Sequence, residues 1–188
     1  NILKETHFGD KILFYKIDYL YGSNEIIGKK FDSDGDFVGG FTLKYDKYGN
    51  ETEIVREGSI FGPPRQVFKN DTNGHSMEID NYIDDNTLGS KTLIEYNKDG
   101  LKSAQGSYKI NGQINSSESY TYDTLKNLKK YERYYANGYL DENQVFNYND
   151  WDQSGNWHVK TVVVSHEEGS NHQFESDYII IKRRIQYY

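Results

Sequence analysis

An aromatic residue stands four positions before a glycine again and again in this chain: Phe31 before Gly35, Tyr45 before Gly49, Tyr96 before Gly100, Tyr108 before Gly112 and Tyr134 before Gly138. The copy at 41–55 shows what the spacing demands. Phe41, Leu43 and Tyr45 alternate with Thr42, Lys44 and Asp46, the two-residue period of a strand with one apolar and one wet face. The next residues, Asp46-Lys47-Tyr48-Gly49-Asn50, reverse the chain. Glycine accepts a positive φ without a steric penalty, and Asp and Asn hydrogen-bond back to nearby backbone. An extended pattern then resumes at Glu51. The unit is a strand, a tight turn and a return strand, which is a hairpin.

Looser copies occur at 21–24, 68–74, 82–89, 122–127 and 148–156. Turn centres therefore fall about every 11 to 17 residues, room for strands of ordinary length. Segments 11–21, 158–164 and 178–188 are the strongest strands. Residues 123–138 also fit a helix, with Leu125, Leu128 and Tyr131 near helical spacing and Gly138 as a stop. Tyr131, Arg133 and Tyr135 alternate as a strand, however, and strand is the assignment made. The only prolines, in the FGPPRQ stretch at 61–66, mark a longer loop or an edge. The expected fold is all-β: one domain over 1–188, a repetitive antiparallel β-meander of consecutive hairpins forming an extended, twisted or partly curled sheet of roughly a dozen strands.

Mean hydropathy is −0.90, low enough to suggest disorder. Yet disordered chains are poor in aromatics, and this one has 18 Tyr, 9 Phe and 2 Trp. Tyrosine half-buries its ring and leaves its hydroxyl wet, which suits a thin sheet. A net charge of −7 argues against nucleic acid as a partner, because phosphate binding needs clustered Lys and Arg. The densest basic cluster, at 181–186, reads as a solvated strand face. No run is apolar enough for a membrane span. Cysteine is absent, so no disulfide, thiol nucleophile or thiolate metal site is expected. The first residues lack signal-peptide character, and a removed leader or lipid anchor stays open.

The stretches at 45–50 and 146–157 resemble the Y-D-x-x-G-N/R turn of bacterial YD repeats, the units of RHS-type proteins. Residues 131–148 are similar to MORN-like repeats of some bacterial antitoxins. Asn50 and Asn156 stand where Arg is common in YD repeats, and the periods are irregular. The resemblance implies an extended, usually non-enzymatic β-meander, often on or outside the bacterial envelope. It supplies no catalytic residues.

Few side chains suggest chemistry. Asp32, Asp34 and Asp36 alternate as in calcium loops, but an EF-hand needs Gly sixth and Glu twelfth. Here Gly35 is fourth and Leu43 twelfth, so an acidic turn is the reading. Asp150 and Asp152 form a second oxygen-rich loop with the same reading. His7, His75, His158, His166 and His172 show no close metal pairing; only His166, Glu167, Glu168 and His172 fall within one short stretch. No catalytic residues, metal or cofactor are assigned.

The aromatics are the candidate site. Trp151 and Trp157 bracket a turn, with Tyr148 just before it and Tyr134, Tyr135 and Tyr139 one unit earlier. Such rings give large contact area at low entropy cost. The expected function is a non-enzymatic binding module, periplasmic, cell-surface or secreted, for carbohydrate or a protein partner. The alternative is a cytoplasmic immunity protein that neutralises a bacterial toxin, since an acidic field speeds capture of a basic partner. Open sheet edges make edge-strand self-association a further expectation.

Overall fold

The computed structural model describes residues 2–9, 12–58, 62–152, 155–168 and 173–182, with side chains described within 15–58, 62–152, 155–165 and 176–182. Everything regular in it is β. The first seven strands are β1 (Ile2–Gly9), β2 (Ile12–Tyr21), β3 (Glu25–Phe31), β4 (Phe37–Tyr45), β5 (Glu51–Gly58), β6 (Arg65–Asn70) and β7 (Ser76–Tyr82). The next seven are β8 (Leu88–Tyr96), β9 (Lys102–Lys109), β10 (Ile114–Tyr122), β11 (Leu128–Tyr135), β12 (Leu140–Trp151), β13 (Trp157–Glu168) and β14 (Gln173–Lys182). Strand order in the sheet is chain order, and the pairs are antiparallel. The expected meander is the observed fold. Residues 128–135, the helix alternative, are strand β11.

The chain divides into two compact units, Asn1–Leu93 with Lys109–Asn111, and Ile94–Tyr108 with Gly112–Tyr188. One turn recurs in both. In unit 1, Asp46 Oδ1 accepts the backbone N–H of Tyr48 (2.8 Å) and of Asn50 (2.9 Å). The backbone closes beneath it, Asp46 N to Asn50 O at 2.9 Å and Gly49 N to Asp46 O at 3.1 Å. Gly49 sits at φ 86°. This is a type I turn with a glycine bulge, and the strand register slips by a residue beside it, between Lys44 and Tyr45. Asp71 makes the same turn in unit 1. Asn97 and Asp123 make it in unit 2, and Asp152 closes the same backbone frame and accepts the N–H of Asn156. The openers at 46, 71, 97, 123 and 152 are 25, 26, 26 and 29 residues apart. The repeating unit is therefore a hairpin of two strands.

A second device fastens the ends away from each hairpin's own loop. Tyr122, at the end of β10, donates its hydroxyl to the Lys102 carbonyl at the start of β9 (2.8 Å). Tyr148 on β12 does the same to Leu128 at the start of β11 (2.8 Å). In unit 1, Asn70 on β6 reaches the Glu51 carbonyl on β5 (2.8 Å). Each tie spans 19 or 20 residues and satisfies a carbonyl at the mouth of a hairpin.

Little is closed off from water. Among the described residues, Ile94 and Val162 are the buried hydrophobics and Asp80 the buried charge. Apolar surface is covered instead by cross-strand neighbours. Phe41 lies across Gly28 so closely that a Cβ there would come within 2.4 Å of the ring, and Tyr19 meets Phe41 edge-on at 6.0 Å. The other face of unit 1 carries charges in register. Lys69 on β6 bridges Glu78 (2.7 Å) and Asp80 (3.0 Å) on β7, and Lys91 on β8 bridges the same two carboxylates (2.6 and 3.2 Å). Lys44 and Arg65 clasp Glu53 from either side. The prolines sit in the β5–β6 connection, where the Pro63 and Pro64 carbonyls accept hydrogen bonds from Arg56.

Lys126 occupies the glycine position of the Asp123 turn at φ 66°, a conformation that costs a non-glycine residue roughly 1 kcal/mol. Lys126→Gly is expected to raise the chemical-denaturation free energy by about 0.5–1 kcal/mol, less than the full strain because glycine is freer in the unfolded chain. The lysine pair holds Glu78 down to about 2. A depressed carboxylate stabilises the fold above its usual value of 4.5, and that stability is lost as pH falls toward 2. Glu78→Gln is expected to cost about 1 kcal/mol at pH 7. Urea titrations from pH 7 to pH 2 are expected to show the gap to the parent closing in acid.

Candidate functional site

The β12–β13 hairpin gathers an aromatic cluster at one end of unit 2. Asp152 opens the tight turn and Asn156 closes it. Trp151 and Trp157 are not within that turn; they face each other across it as the last paired residues of β12 and β13. Strict alternation would put Tyr148 and Trp151, three residues apart, on opposite faces; the left-handed backbone at Asp150 interrupts it, and the Tyr148 ring lies 6.2 Å from Trp151 and 5.6 Å from Trp157. Tyr148 is held from behind by its bond to the Leu128 carbonyl. Burial, and secondarily the charge of Asp123, push its hydroxyl pKa up, so it remains a neutral donor. Lys160, opposite Tyr148 in register, places its ammonium 5.4 Å from the centroids of Trp157 and Phe146, within cation–π range.

Trp151 keeps 37% of its surface exposed. Asp150, beside it, takes a left-handed backbone at φ 56°, a conformation Asp tolerates better than most residues. His158 lies between two carboxylates, with Nδ1 3.8 Å from Asp150 and Nε2 3.7 Å from Asp152. The result is an aromatic ledge rimmed by acids and one imidazole. Chemically it can stack a flat or ring-shaped ligand and hydrogen-bond its edge.

Tyr148, Trp151 and Trp157 are thus brought together. Tyr134, Tyr135 and Tyr139 are not with them. They sit where β11 turns into β12, at the opposite end of a 12-residue strand, roughly 36 Å away at about 3.3 Å per residue. Tyr135 and Tyr139 are exposed and flank the turn, closed by Tyr135 N to Tyr139 O (2.9 Å). The Tyr134 pKa is raised, first by partial burial and then by the neighbouring Glu132. The antiparallel reversal explains the split: residues one hairpin strand earlier fall at the other end of the sheet.

Sequence reading missed Phe146, His158 and Lys160. Lys160 carries a signal in hindsight, since the Asp152 turn pairs it with Tyr148 by counting outward along both strands. The acidic loop at 32–36 makes another of the same turns, with Asp32 Oδ1 accepting the N–H groups of Asp34 and Asp36 (3.0 Å each). Among the described residues, no three His, Asp or Glu side chains gather at metal-binding spacing. His172 and the side chains of His166, Glu167 and Glu168 lie outside the described residues, as does most of the basic cluster at 181–186.

No known protein family matches the chain, and no curated protein matches it. A solved structure does: a porin-like protein from Bacteroides uniformis is 14% identical, with a TM-score of 0.50 over 95% of this chain and 94% of that one. At that identity the likeness is one of fold.

Tyr148→Phe is expected to keep the ring cluster and lose the tie to Leu128, at a cost of about 1 kcal/mol. Urea denaturation followed by tryptophan emission checks it, with the folded-state spectrum expected to stay that of the parent.

Proposed function

We propose that the protein is a non-enzymatic binding module of the bacterial envelope or secreted fraction, which takes carbohydrate on the aromatic end of the β12–β13 hairpin. One observation carries the reading: Trp151 is held partly exposed beside Trp157 and Tyr148, with hydrogen-bonding groups at its rim. Indole and phenol faces stack on the C–H faces of sugar rings, while nearby carboxylates and imidazole accept or donate to hydroxyls.

The likeness to a porin-like protein supports an envelope home. A lipid-facing wall is not favoured for β11. A transmembrane barrel needs an apolar band on one face of its strands, whereas β11 carries Lys130 and Glu132 on one face and Arg133 on the other. No helix among the described residues is long and apolar enough to cross a membrane.

The alternative, an immunity protein that captures a basic toxin, draws on the net charge of −7, and an adjacent toxin gene would favour it. The test uses tryptophan emission, because the chain's two tryptophans both belong to the proposed site. Titration with neutral and charged oligosaccharides is expected to give a saturable shift that Trp151→Ala weakens about tenfold or abolishes. A flat response across cell-wall and host glycans would move the function to a protein partner, sought by pull-down from the native cell.

A further inference from the structure

Unit 1 has its own aromatic loop end. The loop at 22–24, after β2, and the Asp46 turn, after β4, flank an open cleft of about 480 Å³, within the range of small-ligand sites. Tyr21, Asn24, Glu25, Tyr45, Asp46 and Tyr48 are among its lining residues. Its frame is fixed by backbone bonds. Gly22 N donates to Glu25 O (2.8 Å), and Tyr45 N donates across to Asn24 O (2.8 Å), joining the two loops. The Asp46 carboxylate is occupied by the N–H groups of its own turn and the Asn50 amide.

The cleft walls pair flat rings with unused polar groups. Tyr48 is 76% exposed at the tip of its turn, and Tyr21 is exposed on the facing strand end. Lys47 lies over the Tyr48 ring at 4.8 Å. Among the described residues, the side chains of Ser23 and Asn24 make no hydrogen bond. Ile26 is the sole aliphatic side chain of the lining, so an aliphatic ligand finds almost nothing to match it. Rings for stacking and free hydroxyl and amide groups for edge contacts are what a sugar needs. The local charge sets the kind of sugar. Glu25 and Asp46 outweigh Lys47, and an anionic ligand would meet like charge at short range.

The geometry points to this cleft as a second saccharide site, selective for neutral or N-acetylated sugars over uronic acids. Tyr48 and Tyr21 supply the stacking faces, and Asn24 and Ser23 the hydrogen bonds. The inference rests on the reading that the aromatic loop ends take carbohydrate, and it extends that reading to a second, separately addressable site.

An amide NMR titration of the whole chain separates the two sites. The probes are cellotetraose, chitotetraose and tetragalacturonic acid. Cellotetraose or chitotetraose is expected to shift the Gly22, Asn24 and Gly49 amides saturably. Tyr48→Ala, which leaves Asp46 and Gly49 to hold the turn, is expected to weaken those shifts about tenfold while the indole signals of Trp151 and Trp157 respond as in the parent. Tetragalacturonic acid is expected to bind this cleft at least about tenfold more weakly than the neutral tetramers. Indole shifts without cleft shifts would overturn the second site and leave the first standing. Silence at both, with every probe, would overturn the two together, and tightest cleft binding by tetragalacturonic acid would overturn the neutral-sugar assignment.

Discussion

The architecture depends on one small hydrogen-bonded unit, a carboxylate or amide oxygen that takes two backbone N–H groups of its own turn. Asp46 Oδ1 holds the amides of Tyr48 and Asn50, and the equivalent oxygens of Asp71, Asn97 and Asp123 do the same along the chain. A reversal fixed in this way leaves a single choice of register for the strands on either side. Register matters more here than in a layered protein, because a slip of one residue exchanges the two faces of a strand. With so few fully buried side chains, nothing deeper would correct the error.

A sheet this thin also has to solve a problem of composition. Large aliphatic side chains would be left half in water, so the chain builds its faces from tyrosine and from ion pairs aligned across strands. Tyrosines at strand ends serve as anchors: Tyr122 and Tyr148 tie a hairpin mouth with their hydroxyls, and Tyr148 also packs its ring against Trp157. The charges are as ordered as the rings. Lys69 and Lys91 flank Glu78 and Asp80 from the two strands beside β7, so even the nearly buried Asp80 has cations within reach.

The candidate sites grow from the same turns. Where two aromatic residues face each other across an Asp turn, as Trp151 and Trp157 do, they stand at the end of their strands, and Trp151 there keeps part of its surface in water. Partial exposure of rings at loop ends is thus a consequence of the hairpin unit. The cleft beside Tyr48 arises differently, from two loops that follow alternate strands and so emerge at one end of unit 1.

By itself the sequence determined the secondary structure and the order of its elements. Alternation of period two, as in Phe41, Leu43 and Tyr45, and the Asp-x-x-Gly turns are local features, and antiparallel hairpins need only local instructions. The composition of residues 147–157 also marked out an aromatic centre there. Only the tertiary structure decided which of those aromatics meet. Tyr134, Tyr135 and Tyr139 are close to Trp151 in sequence units yet lie a full strand length away, whereas Lys160 comes level with Tyr148 across the hairpin. Which rings gather depends on the strand pairing and on which end of the sheet each turn occupies, and pairing distance along a strand is not proportional to distance along the chain. The cleft between residues 21–26 and 45–49 is of the same kind: its residues belong to two turns that become neighbours once β3 and β4 have paired.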